Sequence, residues 1–264
     1  MSLMASTNPA REVHDFLPSD VRKRDYVIGI IKSVYENYGF EPLKTAESFQ
    51  KKIDGDDKSV EANAILAINE TLDLLGIQNF AIYLSHSDVL ACVLETVRVP
   101  EALQPKAFAA IRSFSKFNIK GFVTEMQEVG VSENASTILA DLFLKTDEVL
   151  NQEHDINQTV VSNLLNIVNI DSLTELGAIL RLTGRKPDFI DPALPCESPF
   201  GPGIVIEART SGLDILGEGG CINGADGQSV FAFSFDIENI VELMDNTKIF
   251  PLETAASGSA AVLR

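Results

Sequence analysis

Apolar residues near the N-terminus recur at helical spacing. The intervals are four, three and four residues, at Val27, Ile31, Val34 and Tyr38. This spacing places the four side chains on one face of a helix, which Ser19 can cap and Gly39 can end. Residues 39–45 then alternate apolar and polar positions, as in a half-buried strand. Because Pro42 cannot donate a backbone hydrogen bond, we expect this strand at a sheet edge or in an unpaired position.

A second helix and a strand are predicted further along. Residues 46–58 are polar and read as a connection, after which Ser59 caps a helix that ends at Gly76. Its apolar face consists of Ile65, Ile68, Leu72 and Leu75. Residues 79–85 alternate as a short strand, and Ser87 opens another helix that ends before Pro100.

The middle and the last third differ in character. Residues 100–183 read as short helices broken by proline, glycine and polar segments, which indicates a helical insertion subdomain. Strands are predicted within 187–194, 203–209, 214–217 and 229–235. The last of these places three Phe rings on one face, and Asp236 caps a closing helix. We therefore predict an α+β fold in which distant parts of the chain complete one sheet. Residues 1–12 and 254–264 read as flexible tails.

The glycine-rich segment 217–227 is a candidate phosphate loop. A phosphate cradle needs glycines that lead into a helix N-terminus, whereas this segment leads into a predicted strand. The dinucleotide and P-loop spacings are also absent. We therefore interpret these glycines as tight turns of the sheet.

The amino-acid composition limits the classes of function that this protein can have. The 264 residues carry 21 Lys and Arg against 38 Asp and Glu, a formal net charge of −17, which disfavours nucleic-acid binding. No apolar run is long enough to span a membrane, and no signal peptide is recognisable. Three cysteines are too few for a disulfide framework. We expect a soluble, cytoplasmic protein that binds neither nucleic acid nor membrane.

No catalytic constellation is recognisable. Acidic residues 54, 56 and 57 lack the rest of a calcium loop and are interpreted as a solvated helix entry. The histidines are scattered and read as structural. Cys196 and Cys221 could face one crevice, but no signal indicates a reactive thiol. We therefore predict no catalytic residue, no metal site and no cofactor.

Several segments resemble one family. Residues 15–45 contain a D-x-x-P sequence, a long Arg-bearing helix, Tyr-Gly-Phe and an extended strand. Residues 54–94, 111–132 and three segments of the last third (200–208, 217–223 and 233–244) follow in the family's order. The region 13–245 resembles the class II catalytic core of histidyl-tRNA synthetase and of its paralogue, the regulatory subunit of ATP phosphoribosyltransferase. The resemblance implies an antiparallel sheet flanked by helices, with 100–183 as a helical insertion.

The departures from that family pattern concern catalysis. Between Ser48 and Lys52 the block that handles ATP and tRNA is absent, including the second class-defining motif and its Arg. Cys196 stands where the family has the Arg that contacts histidine, and Asn239 stands where it has the Arg of the third motif. Phe200 and Gly201 replace a pair of tyrosines, and the family's Arg-Tyr-Asp becomes residues 221–223, Cys-Ile-Asn. No C-terminal anticodon-binding domain is expected.

The resemblance and its departures imply a catalytically inactive paralogue that acts as a dimeric binding or regulatory protein. The family's dimer interface maps to the helix and strand from Ser19 to Thr45. A degenerate ligand pocket would comprise Cys196, Phe200, Gly203, Gly219 and Gly220. The alternative is the regulatory subunit of ATP phosphoribosyltransferase in histidine biosynthesis, with a catalytic partner subunit.

Two further readings remain open. An active histidine-tRNA ligase would need replacement cations, for which Arg181, Arg185 and Arg209 are the candidates. A pure interaction module would leave one sheet face, including the Phe-rich strand, to be covered by a partner subunit.

Overall fold

The described residues form a seven-stranded sheet with helices packed against it. The computed structural model describes residues 18–43, 48–53, 58–112, 119–150, 171–183, 188–191, 194, 203–212, 214–223 and 228–251. Helices α1 to α8 span, in chain order, Pro18–Asn37, Ser59–Leu74, Ser87–Thr96, Gln104–Arg112, Ile119–Glu128, Glu133–Leu150, Asp171–Leu182 and Ile237–Thr247. A short 3₁₀ helix, Glu101–Leu103, precedes α4.

The sheet joins the two ends of the described chain. Strands β1 to β7 span Glu41–Pro42, Ser48–Lys52, Phe80–His86, Phe189–Ile190, Ile204–Thr210, Ile215–Asn223 and Ser229–Phe235. Their spatial order is β1-β2-β7-β6-β5-β3-β4. The strands are antiparallel except for the β3–β4 pair, which is parallel. The predicted α+β fold with a sheet completed by distant segments is confirmed.

An aromatic cluster beneath α1 holds the centre of the core. Tyr35 contacts four phenylalanine rings with centroid separations between 4.8 and 6.5 Å; they belong to Phe40, Phe49, Phe233 and Phe235. Phe231, Phe233 and Phe235 share one side of β7, as the alternation predicts, and all are buried within this chain. The suggestion that a partner subunit covers the Phe-rich strand is therefore wrong. We call this side of the sheet the helical face.

Helix α1 begins and ends close to the predicted positions. Its buried positions, Val27, Ile31 and Val34, follow the predicted spacing, and Gly39 adopts φ +74° after its C-terminus. Ion pairs from Lys23 to Asp245 (2.5 Å) and from Arg24 to Glu238 connect α1 to α8. The first and last described helices therefore lie side by side.

Strand β2 was not predicted. The polar composition of residues 46–58 predicts a connection, whereas Ser48–Lys52 pairs with β7 on one side and with β1 on the other. Phe49 is the one large apolar residue of the strand, and it lies opposite Phe233. Tertiary pairing overrides the weak local signal here.

The interpretation of the glycine segment as turns is wrong for residues 217–223, which lie within β6. A Cβ atom on Gly219 would lie 2.5 Å from the carbonyl oxygen of Ala232 and 2.5 Å from the Phe233 ring. A Cβ atom on Gly217 would also overlap that ring, at 2.6 Å. Glycine is required at both positions because Phe233 of the neighbouring strand packs directly over them. The remaining glycines of the segment lie outside the described residues.

Helix α3 begins at Ser87, as predicted, whereas the cap predicted for α2 is one residue out of place. The N-cap of α2 is Lys58, not Ser59, and its side chain makes no capping hydrogen bond. The N-cap of α3 is His86, whose ring accepts from a backbone N–H group. The cap predicted for the closing helix is confirmed, since the Asp236 side chain accepts from the backbone N–H of Asn239 at 3.0 Å.

The described parts of 100–183 are helical, as predicted. Their buried residues, which include Leu176 and Ile179 of α7, continue the main hydrophobic cluster. Helix α7 packs against α2, α3 and β3. Within the described residues, no helix is both long and apolar enough to cross a membrane.

Candidate functional site

A polar cleft lies on the helical face, where the N-terminus of α2 meets the junction of β3 and α3. Its volume is about 640 Å³. The ionisable residues that line it come from five elements or their ends, namely Lys58, Glu61, His86, Asp88, Glu175 and Cys221. Gly203, at the start of β5, closes one side.

The floor of the cleft is fixed by a reciprocal pair of hydrogen bonds. The Ser87 backbone N–H donates to the Gly203 carbonyl at 2.9 Å, and the Gly203 N–H donates to Ser87 Oγ at 2.8 Å. Gly203 adopts φ +128°, which L side chains rarely take, and a Cβ atom there would lie 3.0 Å from Cys221 Sγ. This glycine therefore lets β5 pass close to the thiol.

Lys58 is the centre of the charged cluster. Its Nζ atom lies 2.8 Å from Glu175 Oε2 and 3.6 Å from Glu61 Oε1. Burial alone would lower the pKa of Lys58, but the hydrogen bond to Glu175 and the two carboxylates raise it. Glu61 is only 1% exposed, and this burial raises the pKa of its carboxyl group despite the nearby Lys58.

His86 connects the cleft to α3. Its Nδ1 atom accepts a hydrogen bond from the Asp88 backbone N–H at 3.1 Å, so Nδ1 carries no proton. The neutral ring therefore carries its proton on Nε2, which lies 3.4 Å from Glu175 Oε2. Burial lowers the pKa of His86, although Asp88 and Glu175 act in the opposite direction.

Cys221 projects into the cleft from β6 as a neutral thiol. Burial raises its pKa to about 11, and the negative charge of Glu61 acts in the same direction. Nucleophilic chemistry requires the thiolate, which this environment disfavours at neutral pH. The cleft therefore offers a polar binding surface rather than an activated nucleophile.

The residues predicted to form a pocket are only partly brought together. Gly203 lines the cleft beside Cys221, whereas Gly219 lies beneath Phe233 in the core. Gly220 is paired with Val205 and points to the opposite face of the sheet. The other two predicted residues, Cys196 and Phe200, lie outside the described part of the chain.

Two of the three candidate replacement cations, Arg181 and Arg209, lie in the described part of the chain. Arg181 is exposed on α7, and Arg185 lies outside the described residues. Arg209 lies on the opposite face of the sheet, where it donates from Nε to Glu207 and stacks 4.6 Å from the Tyr83 ring centroid.

The charge of Arg209 is offset by carboxylates. Its NH1 group lies 3.9 Å from Asp191, and Glu207 accepts from its Nε. Burial would lower the pKa of Arg209, but the hydrogen bond to Glu207 and the surrounding charges raise it. The Arg209 guanidinium is therefore already paired with carboxylates of this chain.

Asn239 contributes to the fold in a similar way. Its side-chain Nδ2 donates to the Ile215 carbonyl at 2.8 Å, which connects the first turn of α8 to β6. This is the position where the family resemblance places an Arg. In this chain the side chain at that position anchors a helix to the sheet.

Sequence reasoning missed most of the charged cluster. Lys58, Glu61, Asp88 and Glu175 match no metal-binding or catalytic spacing, and Glu175 is more than 80 residues from the others along the chain. Among the described residues, no group of three or more His, Cys, Asp or Glu side chains is arranged to hold a metal ion.

Comparison with known structures identifies the fold. Histidyl-tRNA synthetase from Nostoc sp. PCC 7120 superimposes with a TM-score of 0.68 over 94% of this chain and 77% of that protein, at 16% identity. The chain has the fold of the histidyl-tRNA synthetase catalytic core. An ATP phosphoribosyltransferase regulatory subunit/histidyl-tRNA synthetase from Bacillus halodurans C has a TM-score of 0.67, at 13% identity, over 93% of this chain and 85% of that protein.

Sequence comparison agrees with this synthetase-like fold. A histidine–tRNA ligase from Leifsonia xyli subsp. xyli is 24% identical over 197 residues. The match covers 70% of this chain, which spans 46% of the length of that relative. No protein-family model matches the sequence.

Proposed function

We propose that this chain is a catalytically inactive relative of the histidyl-tRNA synthetase core that acts as a dimeric, cytoplasmic binding or regulatory protein. The observation that carries the proposal is the set of side chains at positions where the resemblance places catalytic cations. Cys221 is a neutral thiol in a cleft that contains three carboxylates. Asn239 bonds to the backbone of β6.

The chemistry of adenylate formation makes this argument specific. Charge develops on the transferring phosphates, and fixed cations must stabilise it. Lys58 in the cleft is engaged by Glu175 and Glu61, and Arg209 is engaged by Glu207. The formal net charge of −17 further disfavours nucleotide and tRNA phosphates.

The same proposal covers the domain organisation and the assembly. Residues 13–245 form a truncated synthetase-like core, with 100–183 as its helical insertion. The dimer uses the helix and strand between Ser19 and Thr45. Its support is the position of β1 at the edge of the described sheet, where Glu41 and Pro42 are exposed and no described strand pairs with the outer side of β1, so a second chain can meet it.

A second candidate is the regulatory subunit of ATP phosphoribosyltransferase, with a catalytic partner subunit. The similarity to the Bacillus halodurans protein, which carries that name, favours this candidate. Histidine sensing would use the pocket proposed around Cys196, Phe200, Gly203, Gly219 and Gly220. Gly219 lies beneath Phe233 and Gly220 points to the opposite face of the sheet, so Gly203 is the described residue of that set that lines the cleft.

Pyrophosphate exchange tests the inactive assignment. We expect no exchange between labelled pyrophosphate and ATP in the presence of histidine, while an authentic histidyl-tRNA synthetase exchanges under the same conditions. Histidine-dependent exchange would overturn the assignment. Sedimentation tests the dimer, and a monomer over the whole concentration range would contradict it.

Co-purification tests the second candidate. The chain would be co-expressed with the catalytic subunit of ATP phosphoribosyltransferase and isolated by a tag on either protein. A stoichiometric complex would support the assignment of this chain as the regulatory subunit. Separate elution of two folded proteins would leave the more general binding role.

A further inference from the structure

The carboxyl group of Glu61 has an unsatisfied oxygen. The residue is 1% exposed, and its Oε1 atom lies 3.6 Å from Lys58 Nζ. Its Oε2 atom is buried and has no hydrogen-bond partner among the described residues. A buried carboxylate oxygen without a donor is costly, and such atoms are rare in folded proteins. Glu61 lines the cleft, so a donor that enters the cleft could approach this carboxyl group.

The charges around the cleft favour a positively charged donor. Among the described residues that line it, Glu61, Asp88 and Glu175 provide three carboxylates against one ammonium group, that of Lys58. His86 is neutral because its Nδ1 accepts from the Asp88 N–H. Asp88 has a side chain 60% exposed and Glu175 one 36% exposed, so both remain accessible to a ligand from solvent.

We propose that this cleft binds a small organic cation that carries ammonium groups. The ammonium hydrogens are donated to the carboxylates of Glu61, Asp88 and Glu175. The inference deepens the proposed binding role and rests on it, since it names the class of ligand that the site takes.

The size and the walls of the cleft favour an organic cation. A volume of about 640 Å³ is within the usual range for small-molecule sites. Ile53, Gly203 and the neutral Cys221 thiol provide uncharged wall against which a short carbon chain can pack. An anionic ligand such as a nucleotide would meet the carboxylates and be repelled.

The test uses putrescine, a four-carbon diamine, and butanediol, a matched compound without charge. Isothermal titration calorimetry on the full chain at physiological ionic strength should detect saturable binding of putrescine at one site. Butanediol should produce no binding heat. Putrescine should also raise the melting temperature, because a ligand that binds the folded state stabilises it.

Three substitutions locate the binding. Glu61→Gln and Asp88→Asn should each weaken putrescine binding about tenfold, because each removes a charge-assisted hydrogen bond. Glu242→Gln, on the exposed face of α8 and outside the cleft, should leave the affinity unchanged. Asp88→Asn preserves the test if the buried Glu61 variant does not fold.

Three results would overturn the inference: no binding of putrescine, equal binding of butanediol, or affinity unaffected by Asp88→Asn. The proposed function is tested separately. A dimer that lacks pyrophosphate exchange and ignores putrescine would refute only the amine site. Histidine-dependent exchange in a protein that binds putrescine would refute only the inactive assignment.

Discussion

The backbone N–H of Asp88 donates a hydrogen bond to the Nδ1 atom of His86 at 3.1 Å. The ring thereby satisfies one of the N–H groups that the first turn of α3 leaves without a helical partner. Protonation of Nδ1 would remove the acceptor and place two N–H groups against each other. The neutral form of His86 is therefore part of the folded structure.

This geometry predicts a pH dependence of stability. Because the pKa of His86 in the folded protein lies below its ordinary value of 6.5, the unfolded chain binds the proton more readily. The contribution of His86 is fully present above pH 6.5 and is lost as the pH falls through the lowered pKa. Urea denaturation at a series of pH values should record this loss in the free energy of unfolding.

The matched variant for this experiment is His86→Asn. Asparagine retains a side-chain acceptor for the cap but does not titrate. As the pH falls below 6.5, the free energy of unfolding of this variant should decrease less than that of the wild type. Glu61, Asp88, Glu175 and Lys58 also face the ring, and they are present in both proteins. Identical pH profiles would refute the role of His86.

The packing of β6 predicts that Gly219→Ala is destabilising. The added Cβ atom would lie 2.5 Å from the Ala232 carbonyl oxygen and 2.5 Å from the Phe233 ring. Either the backbone of β7 or the ring must therefore shift. We expect a loss of about 1–3 kcal/mol in the free energy of unfolding, as for other overpacked cores. Chemical denaturation measures this loss.

Gly29→Ala is the control for that substitution. Gly29 is exposed on α1, and a Cβ atom there would meet nothing within 4 Å. Alanine should stabilise the helix by about 0.5–1 kcal/mol because of its higher helix propensity. If both alanines had the same effect, the steric explanation for Gly219 would be wrong.

The environment of Cys221 predicts slow alkylation. With its pKa raised to about 11, the thiol is almost entirely protonated near neutral pH. Iodoacetamide followed by peptide mass spectrometry should therefore modify Cys221 more slowly in the folded protein than after denaturation. Equal rates in the two states would contradict a partly buried, neutral thiol.

The same shift predicts a loss of stability in alkali. The unfolded thiol has an ordinary pKa of 9.0, so the folded state binds the proton more tightly between that value and about 11. This contribution is present below pH 9.0 and is lost as the pH rises through the folded pKa. Cys221→Ser should reduce the alkaline decrease in the free energy of unfolding.

The proposed dimer predicts an asymmetric effect of two surface substitutions. Val21 is 43% exposed on α1, within the proposed interface, and Ile138 is 40% exposed on α6, outside it. Val21→Glu should weaken self-association in analytical ultracentrifugation, because burying the new carboxylate in an interface is costly. Ile138→Glu should leave the association unchanged. Equal effects would argue against this interface.

The elements with strong periodicity could be predicted from the sequence. The buried face of α1 follows the spacing of Val27, Ile31 and Val34. The alternation in β7 correctly predicts that the face with the three Phe rings is buried. Strand β2 was missed because Phe49 is its only large apolar residue. Its conformation depends on hydrogen bonds to strands on both sides, one of which is far away in sequence.

The cleft illustrates a different limit of sequence reasoning. Lys58, His86 and Glu175 belong to three elements that approach each other only after the sheet and α7 have packed. Their identities alone suggest solvated surface charges, which is how such residues usually occur. The position of Gly219 within a strand is hidden from the sequence for a related reason, because the Phe233 ring that requires a glycine there belongs to another strand.

The strand order has a consequence for synthesis of the protein on the ribosome. Strand β2 lies between β1 and β7, and β7 follows it by more than 170 residues. At elongation rates of about 5–20 residues per second, the N-terminal segment must wait roughly ten seconds or more for its partner strand to be translated. We expect Phe49 and Tyr35 to need protection by chaperones during that interval, since β7, which packs against both side chains, is synthesised much later.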